Sequence, residues 1–142
     1  FHEGFDFSDD QVLHWRLSRI SSKGLHLVCD DHRPPLFPEP EFIGQHALNT
    51  KLTPAKPTTA IACLTGAKAR RFFVELDAEQ LNAYLLRRDQ TIPEEQLAHC
   101  PAGGWVMVRH RGFCAGLGYL NLKERRLESL FPKARSLDPN AG

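Results

Sequence analysis

The sequence lacks the residue spacings that are typical of metal sites and catalytic cysteines. Its four cysteines, Cys29, Cys63, Cys100 and Cys114, form no CxxC pair and no Cys/His pair at zinc-finger spacing. The seven histidines form no HExxH motif. We therefore expect reduced and mostly buried thiols, no metal site, and no catalytic residue in this chain.

Nucleotide-binding and membrane signals are also missing. There is no GxGxxG motif, no GxxxxGK[ST] motif, and no apolar run near the eighteen or so residues that a membrane helix needs. The sequence opens with FHEGFDFSDD, which is acidic and aromatic and has no basic region typical of a signal peptide. We expect a cytoplasmic protein without membrane contact, and the missing initiator Met suggests a piece of a longer chain.

Net charge is small, at +1, but its distribution is uneven. Residues 105–142 contain seven basic and three acidic side chains, whereas residues 1–62 contain six basic and eight acidic ones. A positive C-terminal third favours a polyanionic partner. Charge alone is equally compatible with an ordinary solvated surface.

The strongest β pattern lies in the segment 103–135. Two apolar runs, one from Trp105 to Val108 and one from Phe113 to Leu122, flank the turn RHRG and predict a β-hairpin. We expect its glycines to shape a turn and a bulge: Gly112, Gly116 and Gly118.

Elements upstream are less distinct. WRLSRI and GLHLVCD favour two strands, four prolines within residues 30–42 predict a loop, and TAIACLTG reads as a short apolar strand. AKARRFFVEL is expected to be extended. Asp77 is a good N-cap for the clearest helix, which has Leu81, Tyr84 and Leu85 at helical spacing. These features predict a mainly β (α+β) chain with one clear helix, divided at TPAKPTT into residues 1–56 and 57–142.

Basic residues beside these elements are the most plausible functional groups, because arginine and lysine bind phosphates with little dependence on sequence. The candidate phosphate contacts are Lys68, Arg70, Arg71, Arg109, Arg111, Lys123, Arg125, Arg126, Lys133 and Arg135. His110, Phe113 and Tyr119 could stack on an unpaired base.

The motifs GWVMVRHRGFCAGLGYL and LESLFPKARSL resemble the C-terminal region of RsmF-type RNA (cytosine-5) methyltransferases of the Sun/Fmu family. The family pattern G-x-x-x-G-x-G followed by Pro-Lys/Arg is matched by Gly112, Gly116, Gly118, Pro132, Lys133 and Arg135. Upstream, GLHLV, the Pro-rich loop, KPTTAI and VELDAEQLNAYL follow the same order. The likeness covers about residues 11–137. Two family features are absent, since Tyr119 replaces a common lysine and Glu128-Ser129 replaces Lys-Asn.

The resemblance implies a small β-rich pre-PUA segment at 1–56 and a PUA-like β-barrel that binds RNA at 57–142. It also implies a function, namely positioning structured, ribosomal RNA for a methyltransferase domain in cis. The family's Pro-Cys and Thr-Cys catalytic motifs are absent, so S-adenosylmethionine and catalysis are expected in that other domain and no cofactor in this fragment.

Two alternatives remain open from the sequence. The same barrel could be a protein docking domain of the methyltransferase or of the ribosome assembly machinery, with Phe72, Phe73 or Trp105 on an exposed apolar patch. The chain could also be an enzyme in its own right, acting through a Cys/His site that has no recognisable motif.

Overall fold

A computed structural model describes residues 5–7, 14–21, 24–31, 33, 35–38, 40, 43–137 and 140. The elements, in chain order, are β1 (Trp15–Ser21), β2 (Gly24–Cys29), β3 (Gln45–Asn49), β4 (Lys56–Pro57), α1 (Thr59–Thr65), β5 (Phe73–Glu75), α2 (Ala78–Leu85), β6 (Gln90–Thr91), β7 (Gly104–His110), β8 (Phe113–Asn121) and β9 (Arg126–Ser129). Three 3-10 turns span Gly66–Lys68, Glu94–Leu97 and Lys133–Arg135.

The strands form two sheets. The first has four strands in the order β1-β2-β3-β4, all antiparallel. The second has five strands in the order β5-β7-β8-β9-β6 and curls into half a barrel. Only the β5–β7 pair is parallel among the described strands. The predicted β-rich α+β fold is confirmed, whereas the boundary at residue 56 stays a prediction.

Strand β7 is buried on both faces, which explains its continuous apolar sequence. Val106 and Val108 join a core cluster with Tyr84 of α2. Met107 points to the opposite face, into a second cluster with Leu117. The central hairpin therefore separates two hydrophobic cores, and the predicted pairing of the two runs is present from Gly104↔Leu120 to His110↔Phe113.

The predicted strand TAIACLTG is wrong, because residues 59–65 form helix α1. The hydroxyl of Thr58 caps it by accepting a hydrogen bond from the Ile61 amide at 3.3 Å. Ile61 packs on Ala47 of the first sheet, while Ala62 joins the cluster around Met107 in the second. A short apolar run fits a helix or a strand, and here packing between two sheets selects the helix.

Helix α2 begins as predicted at Asp77. The Asp77 carboxylate accepts from the Gln80 amide at 2.8 Å, and the Gln80 side chain accepts from the Asp77 amide at 3.0 Å, which completes a capping box. The expectation of an extended segment over residues 67–76 is confirmed for Phe73–Glu75, which form β5, and is wrong at its start, where Gly66–Lys68 form a 3-10 turn. The predicted cap at Asp9 or Asp10 lies outside the described residues. Neither helix in the described residues has the length and apolarity to cross a bilayer.

Candidate nucleic-acid interface

The ten predicted phosphate contacts are spread over both ends of the curled sheet. Since β7, β8 and β9 are antiparallel neighbours, the β7–β8 turn and the β8–β9 turn lie at opposite ends of β8. Arg109 and Arg111 lie at the first turn, and Lys123 and Arg125 lie in the second. The structure therefore does not gather all ten residues into one patch.

The β7–β8 turn is held in a defined shape. Arg111 and Gly112 both have left-handed backbone conformations, with φ angles of 49° and 79°. The Gly112 amide donates to the Glu75 carboxylate at 2.9 Å. Nδ1 of His110 lies 2.8 Å from the Leu76 carbonyl oxygen. These bonds tie the turn to β5 and leave the exposed Arg111 side chain projecting from a fixed base.

Arg109 is held inside the protein. Its guanidinium contacts the Glu75 carboxylate at 3.2 Å and donates to the carbonyls of Ala67 and Ala69 at 3.0 and 3.2 Å. It also covers the Phe73 ring, and only 13% of its side chain is exposed. Because its Nε and Nη1 groups donate to internal partners, Arg109 holds the segment 66–71 in position in this structure.

That segment presents three cations. Lys68, Arg70 and Arg71 are exposed, and none has a carboxylate partner among the residues that the structure describes. The amides of Arg70 and Arg71 donate to the Phe5 carbonyl at 3.1 and 3.3 Å. A Cβ on Gly66 would lie 2.4 Å from the Cys114 sulfur, so the start of the segment packs directly on β8.

Lys133 and Arg135 lie in the 3-10 turn after β9 and are exposed. The Ser136 hydroxyl donates to the Leu85 carbonyl at 3.0 Å, and the Leu137 amide donates to the same oxygen at 3.2 Å. This turn is therefore fastened to the C-terminal end of α2. Burial raises the pKa of the Cys63 thiol, and nearby Arg135 partly opposes that rise.

The proximity of Arg135 to Cys63 places Arg135 on the side of the β7–β8 turn. Cys63 lies against Ala115, with its sulfur 3.8 Å from the Ala115 carbonyl oxygen. Ala115 follows the turn by only a few residues of β8. The exposed cations on this side of the molecule are called the turn-end cations below: Lys68, Arg111, Lys133 and Arg135. Arg70 and Arg71 are not among them, because their amides donate to the Phe5 carbonyl, and Phe72, which follows them, lies beside the start of β7.

The opposite end of the sheet, at the β8–β9 turn, has a smaller net charge because acidic and basic residues lie side by side there. Arg126 contacts Glu128 at 2.7 Å and Glu124 at 3.9 Å. The hydrogen bond to Glu128 is the main cause of the raised pKa of the Arg126 guanidinium. Lys123 and Arg125 are exposed beside these carboxylates. Because carboxylates already occupy the Arg126 guanidinium, that side chain is less available to a further anion than an unpaired cation would be.

The other two predicted glycines lie where close packing excludes a side chain. The β7–β8 register shifts between Val108↔Gly116 and Arg109↔Cys114, which leaves an extra residue on β8. Gly116 has a φ angle of 150°, and a Cβ there would lie 2.6 Å from the Tyr84 hydroxyl. A Cβ on Gly118 would meet the Leu127 side chain at 2.6 Å.

The aromatic candidates are also separated. Phe113 is 79% exposed next to the β7–β8 turn, whereas Tyr119 packs edge-on against Trp105, with ring centroids 4.9 Å apart. Phe73 is buried below Arg109, so it cannot belong to an exposed docking patch. Trp105 and Phe72 are partly exposed and border an apolar groove that the sequence pattern did not reveal.

All four cysteines are free thiols, but the expectation that most are buried is wrong: only Cys100 is buried, Cys114 is half-buried, and Cys29 and Cys63 are exposed. Burial raises the pKa of Cys100 to about 11 and that of Cys114 to about 11. Both are therefore protonated at neutral pH, and a thiol is a far weaker nucleophile than a thiolate. No group of three or more metal-ligating side chains occurs within the described part of the chain.

Residues 71–136 match the family model described as the Methyltransferase RsmF PUA domain. The match is consistent with the C-terminal PUA region of RsmF-type methyltransferases, as the sequence motifs indicated. It includes the curled sheet, α2 and the 3-10 turn with Lys133 and Arg135. No curated protein sequence matches the chain.

Proposed function

We propose that this chain is the RNA-binding module of an RNA (cytosine-5) methyltransferase, and that it positions structured ribosomal RNA for a catalytic domain in cis. The observation that supports this function is the set of turn-end cations. They lie near one end of the sheet that matches the RsmF PUA family model, and none of them pairs with a carboxylate among the described residues. Four exposed cations on fixed backbone supply affinity for a phosphate chain that is largely independent of base sequence.

The geometry supports positioning as well as affinity. The β7–β8 turn is bonded to Glu75, the segment 66–71 is held by Arg109, and the last 3-10 turn is bonded to Leu85. Cations that start from fixed backbones hold a phosphate chain in one register better than cations on a mobile tail. S-adenosylmethionine and the reacting cysteines belong to the catalytic domain in this proposal, and the enzyme acts in the cytoplasm.

The test is fluorescence anisotropy with a labelled ribosomal RNA hairpin at salt concentrations from about 50 to 200 mM. We expect binding that weakens steeply with salt, because each neutralised phosphate contributes roughly 0.7–0.9 to the logarithmic salt slope. The double variant Lys133→Ala/Arg135→Ala should lower that slope by about 1.5.

A charge-matched control separates this effect from a general loss of positive charge. Arg33→Ala/Lys51→Ala also removes two exposed cations, but outside the segment that matches the family model. We expect its salt slope to stay close to that of the original chain. Absence of RNA binding at 50 mM salt would overturn the proposal and favour a protein docking domain. If both double variants lower the salt slope equally, the turn-end cations are not the specific phosphate contacts that the proposal requires.

A further inference from the structure

An apolar groove lies where the loop before β4 approaches the start of β7. Its volume is about 310 Å³, which is within the range of clefts that bind small ligands. Phe5, Phe72 and Trp105 provide aromatic surface, and Pro54 and Ala55 form part of the opposite wall. None of the described residues that line it is charged.

The aromatic rings of this groove are supported by neighbouring rings. Trp105 packs edge-on against Tyr119 at an interplanar angle of 74°. Phe72 packs edge-on against Phe5, with centroids 6.1 Å apart. Supported rings lose little conformational freedom when a planar ligand stacks on them, so stacking on Trp105 or Phe72 is favourable.

Two cations lie over the aromatic rings that border the groove. The Lys56 ammonium lies 5.2 Å from the centre of the Trp105 ring, and the Arg71 guanidinium carbon lies 5.5 Å from the centre of the Phe72 ring. Neither cation pairs with a carboxylate in the part of the chain that the structure describes. An apolar groove with cations over its bordering rings is complementary to a flat base attached to a phosphate.

We infer that this groove binds an unpaired nucleobase of the RNA, with Lys56 and Arg71 contacting the adjoining phosphates. The inference rests on the proposed function and adds a preference for RNA with a flipped or bulged base. Stacking on aromatic side chains accepts any base, because every base has a π face. The groove therefore selects an unpaired position without selecting its sequence.

The experiment compares two RNA hairpins that carry the same phosphates. One contains a single bulged uridine, and the other contains an abasic nucleotide at the same position. Anisotropy at 100 mM salt gives the ratio of their dissociation constants. We expect the uridine hairpin to bind about tenfold more tightly, since one stacked base contributes roughly 5-fold to 150-fold in affinity. Quenching of Trp105 fluorescence, measured in a Trp15→Phe background, reports the stack directly.

The variant Ala55→Phe fills the groove from an exposed position on its wall. This variant should abolish the preference, so that the two hairpins bind with equal affinity, and it should leave binding of the abasic hairpin unchanged. Ala78→Phe is the matched control, because Ala78 is exposed at the start of α2 and does not line the groove. That control should keep the tenfold preference. Lys56→Ala should weaken binding of the uridine hairpin more than binding of the abasic one.

The outcomes separate the two proposals. If the original chain binds both hairpins equally and Ala55→Phe changes neither affinity, the groove inference is overturned and the RNA-binding function stands. If neither hairpin binds, both proposals fail, and an apolar protein segment becomes the alternative occupant. Equal loss of preference in Ala55→Phe and Ala78→Phe would also overturn the groove assignment.

Discussion

The guanidinium carbon of Arg109 lies 3.4 Å from the centre of the Phe73 ring, so the cation and the ring are stacked in van der Waals contact. Phe73 is buried, and His99 stacks against the same ring with centroids 4.3 Å apart. The guanidinium also bridges Glu75 to the carbonyls of Ala67 and Ala69. A side chain that the sequence presents as a phosphate ligand thus connects β7, β5 and the segment 66–71.

We predict that Arg109→Ala lowers the free energy of unfolding by about 2–3 kcal/mol, because it removes charge-assisted hydrogen bonds and the stack on Phe73. Arg109→Lys should also destabilise, since an ammonium cannot reproduce the forked set of bonds. Urea unfolding followed by circular dichroism measures both. Arg111→Ala is the control and should change stability by no more than about 0.5 kcal/mol. If Arg109→Ala leaves the free energy of unfolding unchanged, this structural role of Arg109 is contradicted.

Gly116→Ala should destabilise the protein by about 2–4 kcal/mol. The new Cβ would collide with the buried Tyr84 hydroxyl, and the φ angle of 150° is strained for a side chain. Gly112→Ala should cost only about 1 kcal/mol, because its φ angle is positive but a Cβ at that position would have no other atom within 4 Å.

A double-variant cycle tests the cause. Tyr84→Phe removes the hydroxyl that donates to the Leu117 carbonyl at 2.8 Å, which by itself costs about 1 kcal/mol. In that background, Gly116→Ala should be less harmful than in the original chain. Strictly additive losses would show that the contact with Tyr84 is not the cause.

Asp77→Ala should lower the free energy of unfolding by about 1 kcal/mol, because it removes the side-chain half of the capping box at the start of α2. Asp77→Asn keeps an acceptor oxygen and should retain most of the stability. Glu79→Ala provides the comparison, since it removes an acidic residue from the same turn without a capping bond. Equal effects of Asp77→Ala and Glu79→Ala would point to the helix dipole alone.

Stability should fall as the pH rises from about 9 to 11. The thiols of Cys100 and Cys114 have pKa values of about 11 in the folded protein, against an ordinary value of 9.0. In this interval the unfolded chain has lost these protons while the folded chain retains them. Because the unfolded state binds fewer protons, the free energy of unfolding decreases with pH.

Urea midpoints at pH 8, 9.5 and 10.5 measure this decline. The double variant Cys100→Ala/Cys114→Ala removes both titrating thiols and should show a shallower pH dependence, whatever its stability at pH 8. Tyr84 contributes in the same direction, because burial raises the pKa of its hydroxyl as well. An unchanged slope in the double variant would exclude the thiols as the cause.

Local sequence signals predicted the parts of the fold that depend on neighbouring residues. The β7–β8 hairpin has two apolar runs and a short glycine-containing turn, and α2 has its capping box within four residues. Helix α1 could not be predicted from its sequence. Its seven residues are a short apolar run, and contacts with Ala47 on one sheet and Met107 on the other decide its conformation.

The candidate site was predictable only as a list of cations. Arg109 and Arg111 have the same residue type and lie two positions apart, yet one is 13% exposed and the other projects from the turn. Burial of Arg109 depends on the parallel pairing of β5 with β7, which joins segments more than thirty residues apart. The groove at Trp105 is likewise formed by four separate stretches of the chain, near Phe5, Pro54, Phe72 and Gly104.

The opposite placement of the two basic turns has a consequence for how RNA length affects binding. β8 has nine residues, so its ends are about 27 Å apart at roughly 3.3 Å per residue. That separation is more than three times the Debye length of about 8 Å at physiological ionic strength. The charges at the two ends are therefore electrostatically independent, and a second contact near Lys123 and Arg125 is accessible only to an RNA long enough to span the strand. Under the proposed function, short hairpins would reach one end only, and longer RNAs would gain avidity from the other.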